Sequence, residues 1–403
     1  MANTYLTPDW ILRKALQVLH AKLNFIGSIN REYDDSFRQG GAAIGNALRI
    51  RLPEKFTVTT GRIMQVQDQT EQSETMTVAT QKHVALRVNA ADRALKEDDF
   101  VERKIVPAMS VLASDVERDA LNMVLDIPSM VGTYGTPPTD LTNFGLARAR
   151  MNQNLAPQDG RRMALIDSLT GAGMAQGQVA YFHDQEAVKK LYREGLMGRA
   201  AGFTFAENDL LPVLTVGSRA GTITVDGAAP TGATLALKAL TGATNTVKAG
   251  EVFTIAGYYA VHDETKTPFT FLKQFVVTED AVGISNAIAE LKFSPSIVTS
   301  GAYQNVYGTP GTDAGLTFLG TASRSYGQNI CFHKNAFAFV SADLPYMPGG
   351  ECSRKVMDSI SMRYWSDGDI RNDEALTRID VLYGYKTIRQ ELACRVIGQG
   401  TNS

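Results

Sequence analysis

Asp367-Gly368-Asp369-Ile370-Arg371-Asn372-Asp373-Glu374 is the stretch of this chain that comes nearest to a ligand-binding motif. A calcium loop that began at Asp367 would need an oxygen ligand at its fifth position, glycine at its sixth and glutamate at its twelfth. Those positions hold Arg371, Asn372 and Arg378, so the run reads as a solvated acidic turn. Gly171, Gly173 and Gly177 approach a dinucleotide fingerprint, which requires glycine where Gln176 stands. His183 lies beside Asp184 and Glu186 without zinc-helix spacing or a nucleophile motif, and a helix start with acidic residues in its first turn accounts for it. His20, His83, His262 and His333 are isolated, and no serine occupies a nucleophile elbow. Cys331, Cys352 and Cys394 are too few and too scattered for a disulfide framework or a zinc site, which fits a reducing compartment. The residues predict no catalytic group, no metal site and no cofactor.

The elements must then be read for what they bury. From Asp98 to Ile127, apolar residues fall at Val101, Ile105, Ala108, Met109, Leu112, Val116, Ala120, Met123 and Val124. These steps of three and four mark one face of a long helix, roughly 40 Å if straight. Asp99 and Glu102 have capping-box spacing at its start, and Ile127-Pro128 stops it. Pro107 either kinks this helix or opens its main part after a shorter lead-in. Residues 7–23 form an amphipathic helix: Thr7 caps it, Pro8 suits its first position, and Leu12, Ala15, Leu16, Leu19 and Leu23 share a face. Asn24 to Asn46 reads as an extended arm. Residues 48–64 and 74–88 read as two strands around a polar tip that contains Gln67, Asp68 and Glu71. Such a hairpin is too poor in apolar residues to bury both its faces, and an isolated hairpin is marginal in water.

Further on, a helix is expected from Thr139 to Leu155, a strand at Leu165-Ile166 and a helix from Asp184 to Leu196. From Gly217 to about Gly320, short Thr/Val/Ala strands alternate with glycine turns, which points to a small β barrel or sandwich inserted between mixed α/β halves. Strands return at Phe337-Val340 and from Ile379 to Ile397. The totals agree with a globular chain of two or three domains: 403 residues, 44% hydrophobic and 20% charged. A net charge of -2 and a pI near 6.3 argue against a dedicated nucleic-acid binder. The N-terminus lacks a signal peptide's charged start and apolar core, and no apolar run reaches membrane-spanning length. The expectation is a protein made in the cytoplasm, with no membrane partner. A basic arm, a hairpin without its own core and an inserted β module suit a subunit that contacts copies of itself.

Particular residues carry a family resemblance. They are Gly202-Phe203 and Leu211-Pro212-Val213-Leu214-Thr215; then Ile223-Thr224-Val225-Asp226-Gly227-Ala228, Gly250-Glu251 and Ile255-Ala256-Gly257; then Ala302-Tyr303-Gln304-Asn305-Val306; and last Gly368-Asp369-Ile370, Tyr383-Gly384 and Arg389 with Glu391. In order and spacing they resemble the major capsid proteins of tailed bacteriophages, in particular the gene-five coat family of short-tailed Salmonella phages. That resemblance implies an α+β subunit of the Hong Kong 97 type with an inserted small β-barrel domain. Residues 1–47 then correspond to an N-terminal arm and 48–90 to the E-loop hairpin. Residues 91–160 correspond to a peripheral domain with its spine helix at 98–127, and 161–216 to peripheral and axial parts. The insertion covers 217–325, here looking shorter than the family's, and 326–403 returns through the axial to the peripheral domain.

The resemblance further implies a coat protein that assembles with copies of itself, as hexameric and pentameric capsomers, into an icosahedral procapsid in the bacterial host cytoplasm. The procapsid matures into the virion capsid around non-specifically held double-stranded DNA. A portal protein and a separate scaffolding protein are expected partners, since the arm and hairpin occupy everything before the spine helix. Inter-subunit contacts are expected at Leu12, Leu16, Leu19, Gln67, Asp68, Glu71, Gly368 and Asp369. Scaffold or DNA contacts are expected at Arg13, Lys14, Lys22 and Arg31. Lys55 and Lys82 lie in the hairpin, where some relatives form covalent cross-links, but no motif match carries that over. An encapsulin-like compartment shell and a β-rich tail protein or adhesin are the alternatives.

Overall fold

The computed structural model describes residues 8–32, 47–64, 66–67, 71–89, 101–178, 198–242, 244–357, 359–369 and 374–401. The predicted helix at 184–196, His183, Asp68 and the capping residue Asp99 lie outside them. The chain divides into two compact units, one of Met1–Arg51, Ser73–Leu121 and Phe337–Ile388, the other of Leu52–Gln72, Asn122–Ala336 and Arg389–Ser403.

In chain order, α1 (Pro8–Lys22) and α2 (Asn24–Ser28) precede β1 (Ala47–Arg51), β2 (Ser73–Thr77) and β3 (Thr80–Asn89). A π-helical turn at Val101–Ile105 runs into α3 (Val106–Leu121), which a 3-10 turn at Asn122–Asp126 extends. Next come β4 (Met130–Val131), α4 (Thr142–Gln153), β5 (Arg162–Ile166), α5 (Ser168–Gln178), β6 (Arg199–Ala200), β7 (Phe203–Glu207) and β8 (Val213–Thr215). The β module follows with β9 (Thr224–Val225), β10 (Gly232–Lys238), β11 (Asn245–Val247), β12 (Val252–Val261), β13 (Pro268–Val277), β14 (Ala281–Gly283), β15 (Ile288–Ile297), β16 (Val306–Tyr307) and β17 (Leu316–Phe318). The last strands are β18 (Ser325–His333), β19 (Phe337–Ala342), β20 (Glu351–Met357), β21 (Ile360–Asp369), β22 (Glu374–Thr387) and β23 (Ala393–Thr401).

The first unit is a sheet ordered β19-β22-β21-β20, with β3 also on β22, together with α1, α2 and α3. Pro107 is the second residue of α3. Proline has no N–H and its ring crowds the carbonyl four residues back, and the wider π turn just before it absorbs that conflict. Of the two predicted roles for Pro107, opening the main helix is therefore the one found. α3 is pinned to the sheet through polar groups: Lys82 Nζ lies 2.5 Å from Asp115 Oδ2 and 2.6 Å from Asp119 Oδ2, and the Tyr383 hydroxyl donates to Asp119 at 2.7 Å. Burial and the neighbouring Asp119 raise the Tyr383 pKa well above the ordinary tyrosine value, so the hydroxyl stays a donor. Within the sheet, Arg363 meets Asp380 in a buried bidentate pair at 3.1 and 2.6 Å, and Gln81 donates to the same carboxylate at 2.9 Å.

Two predicted segments need correction. The segment read as an extended arm contains α2, whose first N–H groups, Phe25 N and Ile26 N, donate to the fully buried Glu117 carboxylate at 2.5 and 3.3 Å. A partner 92 residues away supplies the acceptor that local sequence lacks. The hairpin is shorter than predicted: β1 ends at Arg51, residues 52–64 form no strand, and the 74–88 run breaks at Val78-Ala79. β2 pairs β1, whereas β3 pairs β22 from Thr80↔Tyr383 to Asn89↔Glu374. At the break the chain crosses so near Gly384 that a Cβ there would stand 2.2 Å from the Thr77 carbonyl oxygen.

In the second unit a mixed sheet runs β4-β23-β18-β5-β7-β6, with β8 also on β18. β18 is its spine, buried from Gln328 to His333 on both faces, with the polar Gln328, Asn329 and His333 hydrogen-bonded there. Thr215 in β8 opposes Ser325 in β18, and Val216 N donates to Arg324 O at 2.8 Å, so the chain leaves and re-enters this sheet at one point. Between those points lies the β module, ordered β16-β12-β13-β15-β10-β9, with β17 on β12 and Gly315 bridging Thr224 of β9. Its own core centres on Phe253, Phe275 and Phe293, whose ring centroids are 5.4–5.6 Å apart. Val252 and Val276 turn the other way and pack with Met130 and Ile397.

Candidate assembly surfaces

α1 carries an apolar stripe of period 3–4, and the structure shows where it goes. Leu12, Leu16 and Leu19 are 0%, 1% and 1% exposed, packed with α3 and the β20–β21 hairpin of their own unit. The expected inter-subunit role of these leucines is corrected, because the chain itself has already covered them. Asp9 at the start of α1 receives the Ser353 hydroxyl at 2.5 Å and Lys355 Nζ at 2.8 Å. Those two hydrogen bonds, Lys355 first, hold its carboxyl below the usual aspartate value.

The hairpin behaves differently. β1 and β2 pair from Ala47↔Thr77 to Arg51↔Ser73, and Leu52 N still donates to Gln72 O at 2.9 Å. Beyond that, the Gln67 side-chain amide clasps the Thr57 backbone on both sides, accepting from its N–H at 3.0 Å and donating to its carbonyl. Gln67 is thus tied within the tip. Around it Phe56, Val58, Ile63, Met64 and Val66 are 57%, 97%, 84%, 84% and 82% exposed. Exposed apolar side chains scattered singly are ordinary, whereas five within eleven residues of one loop form a patch that water disfavours. Lys55 beside them pairs with Asp263 of the β module at 2.7 Å. Sequence reading placed Phe56, Val58, Ile63 and Met64 in a strand and Val66 in the polar tip, without marking them as one apolar group. The available signal was an apolar cluster in a stretch with no apolar partner nearby in the chain.

The remaining expected residues are scattered. Gly368 is exposed at the connected end of the β21–β22 pair, where Asp369 opposes Glu374, and Asp367 accepts from Gly368 N at 2.9 Å. Glu71 is exposed. Arg13 and Lys14 are exposed on α1, with Lys14 Nζ 6.0 Å from the Trp10 ring, while Arg31 is half-buried and the Lys22 side chain lies outside the described residues. No group of three or more His, Cys, Asp or Glu among the described residues could hold a metal ion. Lys82, a cross-link candidate by position, is engaged by α3; burial opposes its charge, but Asp115 and Asp119 prevail and raise its pKa.

The solved structures similar to this chain include that of Mycobacterium phage Che8, at 13% identity over 92% of this chain and 89% of that one, with a TM-score of 0.49. The capsid of cyanophage P-SCSP1u is similar at 10% identity over 91% and 86%, with a TM-score of 0.46. The mature capsid of bacteriophage PhiM1 is similar at 10% identity over 89% and 83%, with a TM-score of 0.43. No curated protein sequence matches the chain. Residues 60–398 match the family described as P22 coat protein, gene protein 5. The chain belongs to that family, and is a major capsid protein of a tailed double-stranded-DNA phage that assembles with copies of itself in the virion shell.

Proposed function

We propose that the subunit has the Hong Kong 97-type plan and closes its shell by laying the tip of the β1–β2 hairpin over a neighbouring copy. The observation that carries this is the exposed group Phe56, Val58, Ile63, Met64 and Val66, which needs apolar cover. A second copy supplies that cover at every position of a closed shell. The arm at 1–47, the spine helix at 98–127, the axial part from 161 and the insertion at 217–325 take the roles that the family resemblance implies. Reading the insertion as a small closed barrel is supported by its pairings, which run β12-β13-β15-β10-β9 and return through Gly315 and β17 to β12.

In this reading a separate scaffolding protein guides assembly into an icosahedral procapsid, with a portal protein at one vertex and double-stranded DNA packaged later. Arg13, Lys14, Lys22 and Arg31 are the proposed scaffold or DNA contacts, supported by the exposure of Arg13 and Lys14. Asp68, Glu71, Gly368 and Asp369 remain proposed neighbour contacts. Negative-stain microscopy of purified chain, with and without scaffold, tests the reading. Uniform closed particles only with scaffold are expected; uniform, correctly sized shells from the chain alone would remove the scaffold, and tubes or small oligomers would remove the shell geometry.

A further inference from the structure

The chain as a whole is slightly acidic, yet one corner of the second unit is not. Arg161 precedes and Arg162 begins β5, Arg199 begins β6, and Arg148 projects from α4. Two glycines bring them together. A Cβ on Gly160 would stand 3.2 Å from Arg199 Nη2, and one on Gly202, in the β6–β7 turn, would stand 3.2 Å from Arg148 Nε. Each arginine therefore lies across a bare stretch of backbone that leaves room for it. Arg162 is buried behind them and gives its donors to neutral oxygens alone: Pro157 O at 2.8 Å, Asn152 Oδ1 at 2.8 Å and Ala156 O at 2.5 Å.

Carboxylates are scarce among the described residues of this corner. Asp159 accepts from His333 Nε2 at 3.1 Å and from Arg161 N at 3.1 Å, and lies 3.9 Å from Arg161 Nε. Among the described residues, the exposed Arg148 and Arg199 have no acidic partner within ion-pair distance. Arg148 also bears on Arg162 as a like charge and, after desolvation, helps to lower its pKa. Among the described residues, three surface guanidinium groups and the buried Arg162 stand against one aspartate, a concentration of positive charge that water alone does not neutralise.

We propose that this arginine corner binds nucleic-acid phosphate without regard to sequence and marks the genome-facing side of the subunit. The proposal rests on the coat-subunit reading for its biological partner, because a phage shell encloses one abundant polyanion. Guanidinium forks suit phosphate oxygens, and contacts to phosphate carry no base information. A small fixed site on an otherwise near-neutral chain holds DNA weakly at each subunit, which is compatible with its later release.

The test titrates dispersed, purified full chain with a short mixed-sequence duplex at stepped salt. The parent should show salt-dependent binding. In Arg148→Ala/Arg199→Ala the log–log salt slope should become shallower by about 2. Arg148→Lys/Arg199→Lys should keep most of the slope. Unfolding midpoints equal to the parent's show that the exposed-site variants are folded. A parental slope in the double alanine variant overturns the proposal. So does a map of filled particles in which Arg148 and Arg199 face a neighbour's carboxylates instead of DNA density. Failure of the parent to form shells would count against the assembly reading, while the titration still decides this one.

Discussion

α1 and the hairpin tip both carry apolar residues at element-like spacing, yet one set is covered and the other is bare. The leucines of α1 sit between α3 and the β20–β21 hairpin, and the polar contacts at Asp9 hold the helix start against β20. The tip holds the Gln67 clasp on the Thr57 backbone, but Val58 and its neighbours face water. The difference teaches that apolar periodicity says a face will be buried and leaves open which molecule buries it. A stripe covered within the chain belongs to folding. An apolar group left bare belongs to assembly.

That division can be broken most sharply on α1. Leu12→Ala or Leu16→Ala should each cost about 2–5 kcal/mol of subunit stability, read by denaturant unfolding of dispersed protein. A midpoint like the parent's would mean that α1 is not held by its own chain. Glu117→Ala should cost about 1–3 kcal/mol in the same assay, because it strands the first N–H groups of α2 in an apolar surrounding.

Val58→Ser combined with Ile63→Ser should move subunit stability by no more than about 0.5 kcal/mol. The same pair should raise the concentration at which shells begin to form, followed by light scattering. An unchanged threshold would show that the tip is not the assembly surface. Pro107→Ala should leave the unfolding midpoint nearly unchanged while letting the π turn wind up, so the readout is particle diameter by microscopy. Identical particles would end any role of that proline in curvature.

The smallest effect concerns Asp9. Its pKa is lowered by Lys355 and Ser353, so its contribution is complete above the ordinary aspartate value and is lost as pH falls through the lowered one. Asp9→Asn should flatten that acid limb of the stability curve slightly. An unaltered limb would show that the contact is screened by solvent, as most exposed pairs are.

Much of the fold is legible in residue type and spacing. The α1 stripe, the run from 101 to 126 and the strands of the β module all follow from them. Local rules miss α2, because its N-terminal acceptor, Glu117, comes from α3. They also join β2 to β3, because alternation is blind to a change of partner strand at Gly384. The candidate surface is half visible: the clasp of Gln67, an expected neighbour contact, on the Thr57 backbone does not show in residue type or spacing.

The sequence by itself therefore determined periodicity, turn positions and the kinds of surface this protein must hide, since these depend on neighbours a few residues apart. Only the tertiary structure decided which surfaces were already hidden. It also brought Arg148, Arg161, Arg162 and Arg199 to one corner from three separate elements. Burial and electrostatic potential are sums over groups distant in the chain, and no local pattern contains them.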